Sequence, residues 1–178
     1  KGAVIGLGVG EYHARTLNSC HNSELIWICD LNKDRLQNLG SEFHQTKQTQ
    51  DEMKIFDDPE IDLVCIASYD EDHYDQIIRA LNHDKNVYVE KPMCLTEIQA
   101  KNIRKILETK SHLHLSSNMV LRTCPLFQKI KKAINSNKIG KIYNIEADYY
   151  WGRKEKLLSG WRANSNFYSI IHGAGVHM

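Results

Sequence analysis

The chain has 178 residues, 42% of them hydrophobic, and a net charge of +1 from 23 basic and 22 acidic side chains. That length accommodates one full domain with its own core plus part of another. The balanced charge and the lack of a long basic stripe exclude nucleic acid as the principal partner, since phosphate backbones are gripped by clustered Lys and Arg.

Apolar runs of a few residues fall far short of the roughly 20 needed to cross a bilayer, so no membrane partner is expected. The chain opens on Lys1 rather than methionine and stops at Met178 within an apolar, glycine-rich pattern, as expected of a segment of a longer protein. Cys20, Cys29, Cys65, Cys94 and Cys124 are odd in number and widely spaced, without a C-x-x-C pair. Such spacing predicts free thiols in a reducing cytoplasm rather than a disulfide framework or a zinc knuckle.

In chain order, the runs 3–5, 25–29, 61–67 and 87–89 are apolar without polar alternation, the pattern of parallel strands covered on both faces. Helices are predicted between them. Asn32 caps one whose Leu36, Leu39 and Phe43 share a side; Asp72 caps the next, with Tyr74, Ile77, Ile78 and Leu81 as its stripe. Thr96 and Gln99 form a capping box ahead of Ala100, Ile103, Ile106 and Leu107, and residues 112–115 read as a further strand. Repeated β-α units of this kind give an α/β fold, a doubly wound parallel sheet with right-handed crossovers.

After Pro125 the pattern changes. A helix through Phe127, Ile130 and Ile134 ends near Gly140, and residues 141–151 alternate, with Tyr143, Ile145, Ala147, Tyr149 and Trp151 on one face. That period of two predicts a half-exposed strand of an antiparallel or mixed sheet. The boundary is expected near 117–121, giving domains 1–117 and 118–178.

Three places carry chemistry. Gly6 and Gly8 have the spacing of the first two dinucleotide-fingerprint glycines, one for the tight turn and one for close approach of pyrophosphate to a helix N-terminus. Glu11 stands where the third glycine belongs, so either Gly10 supplies the close packing or the pyrophosphate sits less snugly. Glu11 must then point away from phosphate. Asp30 ends the second apolar run, where a carboxylate accepts ribose hydroxyls and repels a 2′-phosphate, favouring NAD over NADP. Lys33 and Arg35 weaken that preference, and a turn or cap role for Asp30 is the plain alternative. In the loop 68–73, Ser68 is a candidate cofactor contact and His73 a candidate pocket wall. Finally, Glu90-Lys91-Pro92 places a lysine at the end of a buried strand, where open α/β sheets do chemistry.

Taken together, G-L-G-V-G-E-Y-H, D-P-E-I-D-L-V-C-I-A-S, E-K-P, N-M-V-L-R and G-A-G-V-H resemble the Gfo/Idh/MocA family across the whole chain. The resemblance implies an NAD(P)-dependent oxidoreductase of sugars, sugar nucleotides or polyols. Its Rossmann domain is followed by an α+β substrate and oligomerisation domain built on a mostly antiparallel sheet. It further implies a homo-oligomer when full-length, and that Lys91, flanked by Glu90 and a cis-bonded Pro92, lies beside the nicotinamide. The likeness implies that His73, matching the histidine of the family's T-P-x-x-x-H loop, and Glu90, Lys91 and Pro92 contact cofactor, and that Asn118 and Arg122, at positions entering the substrate domain, join Lys91 and His177, which ends the D-x-G-x-H motif, in contacting substrate. Gly173 replaces that motif's aspartate, which weakens the Asp-His pairing that orients a base.

Hydride transfer leaves a hydroxyl proton to be handled. His177 needs the least tuning to accept it, with Lys91 polarising the oxygen. Tyr149, Tyr150, Trp151, Trp161 and Arg162 suit a hydroxyl-rich ligand, or equally pack. The rival reading is a nucleotide-binding regulatory or scaffold protein with impaired catalysis. No metal is expected: His112 and His114 alternate on a strand, and His172 and His177 are five apart rather than the four of one helical face.

Overall fold

The computed structural model describes residues 1–150, 152–164 and 169–177. Contacts divide the chain into two compact units, Lys1–Asn118 and Met119–Met178.

The first unit alternates strand and helix: β1 Gly2–Ile5, α1 Gly10–Ser19, β2 Leu25–Cys29, α2 Lys33–Glu42, β3 Lys47–Thr49, α3 Met53–Phe56, β4 Leu63–Ile66, α4 His73–Asn82, β5 Asn86–Val89, α5 Glu97–Thr109 and β6 Leu115–Ser117. The six strands form one sheet in the order β3-β2-β1-β4-β5-β6, every neighbouring pair parallel. This is the expected doubly wound sheet, with its order reversing between β1 and β4. At such a reversal the loops leaving neighbouring strands diverge to opposite faces and open a crevice at their C-terminal ends.

Two buried clusters follow from the pleat, because successive strand residues point to opposite faces. Val4, Leu25, Ile28 and Cys65 meet Ala14 of α1 and Leu36, Leu39 and Phe43 of the α2 segment. Ala3, Ile5, Val64, Ile66, Val87 and Val89 meet Phe56 of α3, Ile77 and Leu81 of α4 and Ile103 of α5. Each of these large side chains, fully buried, contributes about 1.5–3 kcal/mol relative to exposure.

Local signals act largely as expected. Asn32 accepts the Arg35 N–H at 3.1 Å, and Thr96 and Gln99 make a reciprocal capping box. Asp72 differs: it has helical backbone angles and its side chain makes no capping bond. The strand expected at 112–115 begins at Leu115, because Leu113 is held in a turn by Lys110 O and the His114 N–H is taken by Asn86 Oδ1. β3 and α3, unexpected from the sequence, are too short, at three and four residues, to carry a periodicity.

In the second unit a 3₁₀ turn, Val120–Arg122, leads to α6 Pro125–Asn135, then to α7 Glu155–Leu158, α8 Gly160–Asn164, α9 Ile170–Gly173 and a further 3₁₀ turn, Gly175–His177. The strand expected over 141–151 is a correction: residues 141–150 form no strand, and Trp151 lies outside the described residues. A strand is stabilised by a ladder of bonds to a neighbour, and among the described residues nothing pairs with this segment; Tyr143 is left 97% exposed. No helix among the described residues is long and apolar enough to cross a membrane.

Candidate functional site

The glycine turn leaves β1 at its C-terminal end. Gly6 has φ +83°, and a Cβ there would lie 2.5 Å from Ala67 O, so the turn hugs the end of β4 and only glycine fits. A Cβ on Gly10 would meet Val4 Cγ1 at 2.9 Å and Ala67 Cβ at 3.1 Å. Gly10 therefore performs the helix-to-sheet close packing, which resolves the displaced third glycine. Glu11 turns along its helix to Arg15, which donates from Nε at 3.0 Å and Nη2 at 2.8 Å and also binds Glu42. Its charge is thus drawn away from the turn.

Asp30, 8% exposed, stands just past β2. Its Oδ2 accepts the Leu7 N–H at 2.6 Å and its Oδ1 accepts the Asn32 N–H at 2.7 Å. The carboxylate braces the glycine turn and the start of α2 together. Each oxygen has a second lone pair left for a ligand hydroxyl. Arg35 Nη1 is 3.8 Å from Oδ2, and the same nitrogen is the nearest atom, at 3.8 Å, to a Cβ built on Gly8. That emptiness over Gly8 is the test of fit for a dinucleotide. The turn backbone is open to a phosphate at the N-terminus of α1, with the Asp30 carboxylate beside it, and the residues fit the group.

Beyond β4, Ser68 donates to Gln76 Oε1 at 2.6 Å, Gln76 donates to Glu52 at 2.5 Å, and Arg79 holds the other Glu52 oxygen. His73, 1% exposed, lies beneath this loop; its Nδ1–H donates to Pro92 O at 2.6 Å, and its Nε2 is buried with no hydrogen-bond partner among the described residues. An imidazole so placed holds the Pro92 segment from below through Nδ1.

Lys91 follows β5 at the same end of the sheet, and the Lys91–Pro92 bond is cis. Glu90 is directed inward. Its Oε1 accepts from His13 Nε2 at 2.9 Å and from Asn118 Nδ2 at 2.6 Å, and Asn118 Oδ1 accepts the Tyr88 hydroxyl at 2.7 Å. Asn118, expected on the substrate, thus spends its amide on Glu90 and Tyr88. Burial pushes the Glu90 carboxyl up, but the hydrogen bonds from His13 and Asn118, with the Lys91 N–H, outweigh it and hold the group below the ordinary glutamate range. Tyr88 is pushed up by burial and by the Glu90 charge, so its hydroxyl remains a donor.

Because the folded value of Glu90 is depressed, its contribution to stability is present above the unfolded glutamate value, about 4.3, and is lost as pH falls through the lower folded value. Thermal melts of the full-length protein from about pH 6 to pH 3 are expected to show a shallower acid slope for Glu90→Gln than for the unmodified protein. Coincident slopes would show that this carboxylate is not a determinant of acid stability.

His13, Tyr88, Glu52 and Gln76 were not anticipated. His13 was discoverable: three residues after Gly10 and one before Ala14, it is a polar side chain on the helix face that the sheet buries. In the second unit, Arg122 closes the 3₁₀ turn, His177 stacks on Tyr149 with ring centroids 6.5 Å apart, and Arg162 lies 4.5 Å over Trp161.

Residues 1–118 match the family described as an oxidoreductase family with an NAD-binding Rossmann fold, Gfo/Idh/MocA. The chain is 32% identical over 142 residues to the scyllo-inositol 2-dehydrogenase (NAD(+)) of Bacillus subtilis, a match covering 78% of this chain and 41% of that protein. It is 31% identical over 140 residues to the myo-inositol 2-dehydrogenase of Thermotoga maritima, again 78% and 41%. A crystal structure of myo-inositol dehydrogenase from Lactobacillus casei in complex with NAD(H) and myo-inositol superposes with a TM-score of 0.72 at 27% identity, over 78% of this chain and 42% of that one. The matched part is therefore less than half the length of each of these proteins.

Proposed function

The chain belongs to the Gfo/Idh/MocA oxidoreductase family, and on that premise we propose that the whole protein is an NAD-dependent dehydrogenase of a secondary alcohol, with a cyclic polyol of the inositol kind as its substrate class. One observation carries the reading: an open glycine turn, the acid Asp30 and the lysine Lys91 stand at the C-terminal ends of strands of one sheet. Gly6, Gly8 and Gly10 shape the turn that would hold the pyrophosphate, and Asp30 would hold the adenosine ribose. NAD, when bound, supplies the hydride acceptor.

In this reading Lys91 polarises the alcohol oxygen as the hydroxyl proton leaves, and His177 accepts that proton. Residue 173, a glycine, does not supply the carboxylate the family places four positions before the histidine. Ser68 and Pro92 shape the loops on either side, while Glu90 and His73 support Lys91 from beneath. The second unit would open the α+β substrate domain, with Arg122 at its entrance, and its mostly antiparallel sheet would carry homo-oligomer assembly.

Two measurements on the full-length protein test this. NADH formation from NAD and a panel of inositol isomers is expected for at least one isomer; NADH bound without turnover on any would leave a nucleotide-binding regulatory or scaffold protein. NADH is expected to bind about tenfold or more tighter than NADPH, since Asp30 sets a buried like charge against a 2′-phosphate. Equal affinities would remove Asp30 from the ribose and leave Arg35 as its counterweight.

A further inference from the structure

His13 occupies the buried face of the first helix with its side chain 16% exposed. The ring packs edge-on against Tyr88, with centroids 5.3 Å apart and planes at 84°, while Nε2 reaches Glu90 Oε1 at 2.9 Å. The same oxygen takes the Asn118 amide, and Glu90 Oε2 lies 3.4 Å from the Lys91 N–H. An ionised carboxylate only accepts, so every neighbour must be a donor and His13 carries hydrogen on Nε2. The two groups belong to the two halves of the site: α1 starts at the glycine turn, and Glu90 precedes Lys91.

We propose that His13 is a positioning residue for Lys91, acting through Glu90, so that the helix carrying the glycine turn and the strand end carrying the lysine keep one fixed spacing. The proposal rests on the dehydrogenase reading above. Removing the imidazole leaves Glu90 buried with a donor missing, and a buried acceptor deprived of its partner seeks another. The Lys91 ammonium is one residue along the chain. A lysine drawn to its neighbouring carboxylate is displaced from the alcohol oxygen, and displacements of about 1 Å cost on the order of 10²-fold in rate.

The test uses the full-length protein with His13→Ala and His13→Gln, the latter reaching as far as Nε2 with an amide donor. Three quantities are read: kcat on the most active inositol isomer, Kd for NADH by nicotinamide fluorescence, and the labelling rate of Lys91 by an amine-acetylating reagent, resolved by peptide mass spectrometry without cofactor or substrate. His13→Ala is expected to lower kcat by about 10- to 100-fold. Its Kd for NADH should stay within about threefold, and Lys91 labelling should change by more than about threefold with other lysines unaffected. His13→Gln is expected to restore both kcat and labelling.

Unchanged kcat and Lys91 labelling in His13→Ala would overturn the proposal. So would a uniform change at all lysines with weakened NADH binding that Gln fails to rescue, since that marks packing alone. Should His13→Ala not fold, His13→Asn, whose amide ends one bond short of Glu90, is expected to show the same losses. If the unmodified protein oxidises no polyol, the dehydrogenase reading falls, yet Lys91 labelling still decides whether His13 sets the lysine.

Discussion

In the proposed reaction, Lys91→Met is expected to lower polyol-dependent NADH formation by about 10²–10⁴-fold, the range associated with losing a positioned acid-base or polarising group, and to leave NADH binding intact. Methionine keeps the unbranched stem of the side chain and removes the terminal ammonium with its charge and donors. The glycine turn and Asp30, on β1 and β2, are separate from it and braced by their own bonds, including Leu7 N–H to Asp30 at 2.6 Å. Initial rates with NAD and the best inositol isomer, set beside a fluorescence titration with NADH, separate chemistry from binding. A variant with near-normal turnover would remove Lys91 from the reaction.

The second large effect concerns the turn itself. Gly6→Ala places a methyl 2.5 Å from Ala67 O and 2.7 Å from Ser68 N, at φ +83°. Left-handed strain costs about 1–2 kcal/mol, and overlap with backbone that has no rotamer to yield costs about 1–3 kcal/mol more. A melting temperature lower by several degrees and loss of NADH binding are expected together. Gly8→Ala is the contrasting case. Its methyl meets only Arg35 Nη1, at 3.8 Å, so the melting temperature should hold while NADH binding weakens. Equal melting temperatures for Gly6→Ala and the unmodified protein would show that the turn relaxes freely.

Much of the sheet was legible because β1, β2, β4 and β5 are buried on both faces and therefore read as unbroken apolar runs. β3, with Lys47 and Gln48 exposed, sits at the sheet edge and lacks that signature. The alternation at 143–149 was a correct description of composition but not of structure: periodicity specifies which face a strand would bury, whereas its formation depends on a partner. Spacing placed Asp30 and Lys91 at the ends of strands, where they stand, but did not show that Asp30 braces the Leu7 and Asn32 N–H groups. Spacing left open whether Gly10 or a looser fit answers for Glu11 at the third fingerprint position; the 2.9 Å from a Gly10 Cβ to Val4 Cγ1 decides for packing by Gly10. Nor did spacing show that His73 Nδ1 holds Pro92 O or that Glu90 Oε1 is held by His13 and Asn118.

The order β3-β2-β1-β4-β5-β6 gives β1 a particular burden. Of the six strands of this sheet it is the first made, yet it ends at the centre, pairing with β2 on one side and, through Gly2 opposite Leu63, with β4 on the other. While the chain is being synthesised, the β3-β2-β1 half can assemble with its inner edge bare, and that edge carries Ala3, Val4 and Ile5. The nascent protein thus passes through an interval in which a fully buried strand has an open side, a template for joining other chains. Arrival of residues 63–66 closes it. The same strand pairing that later opens the crevice for a ligand is what ends the chain's exposure to aggregation.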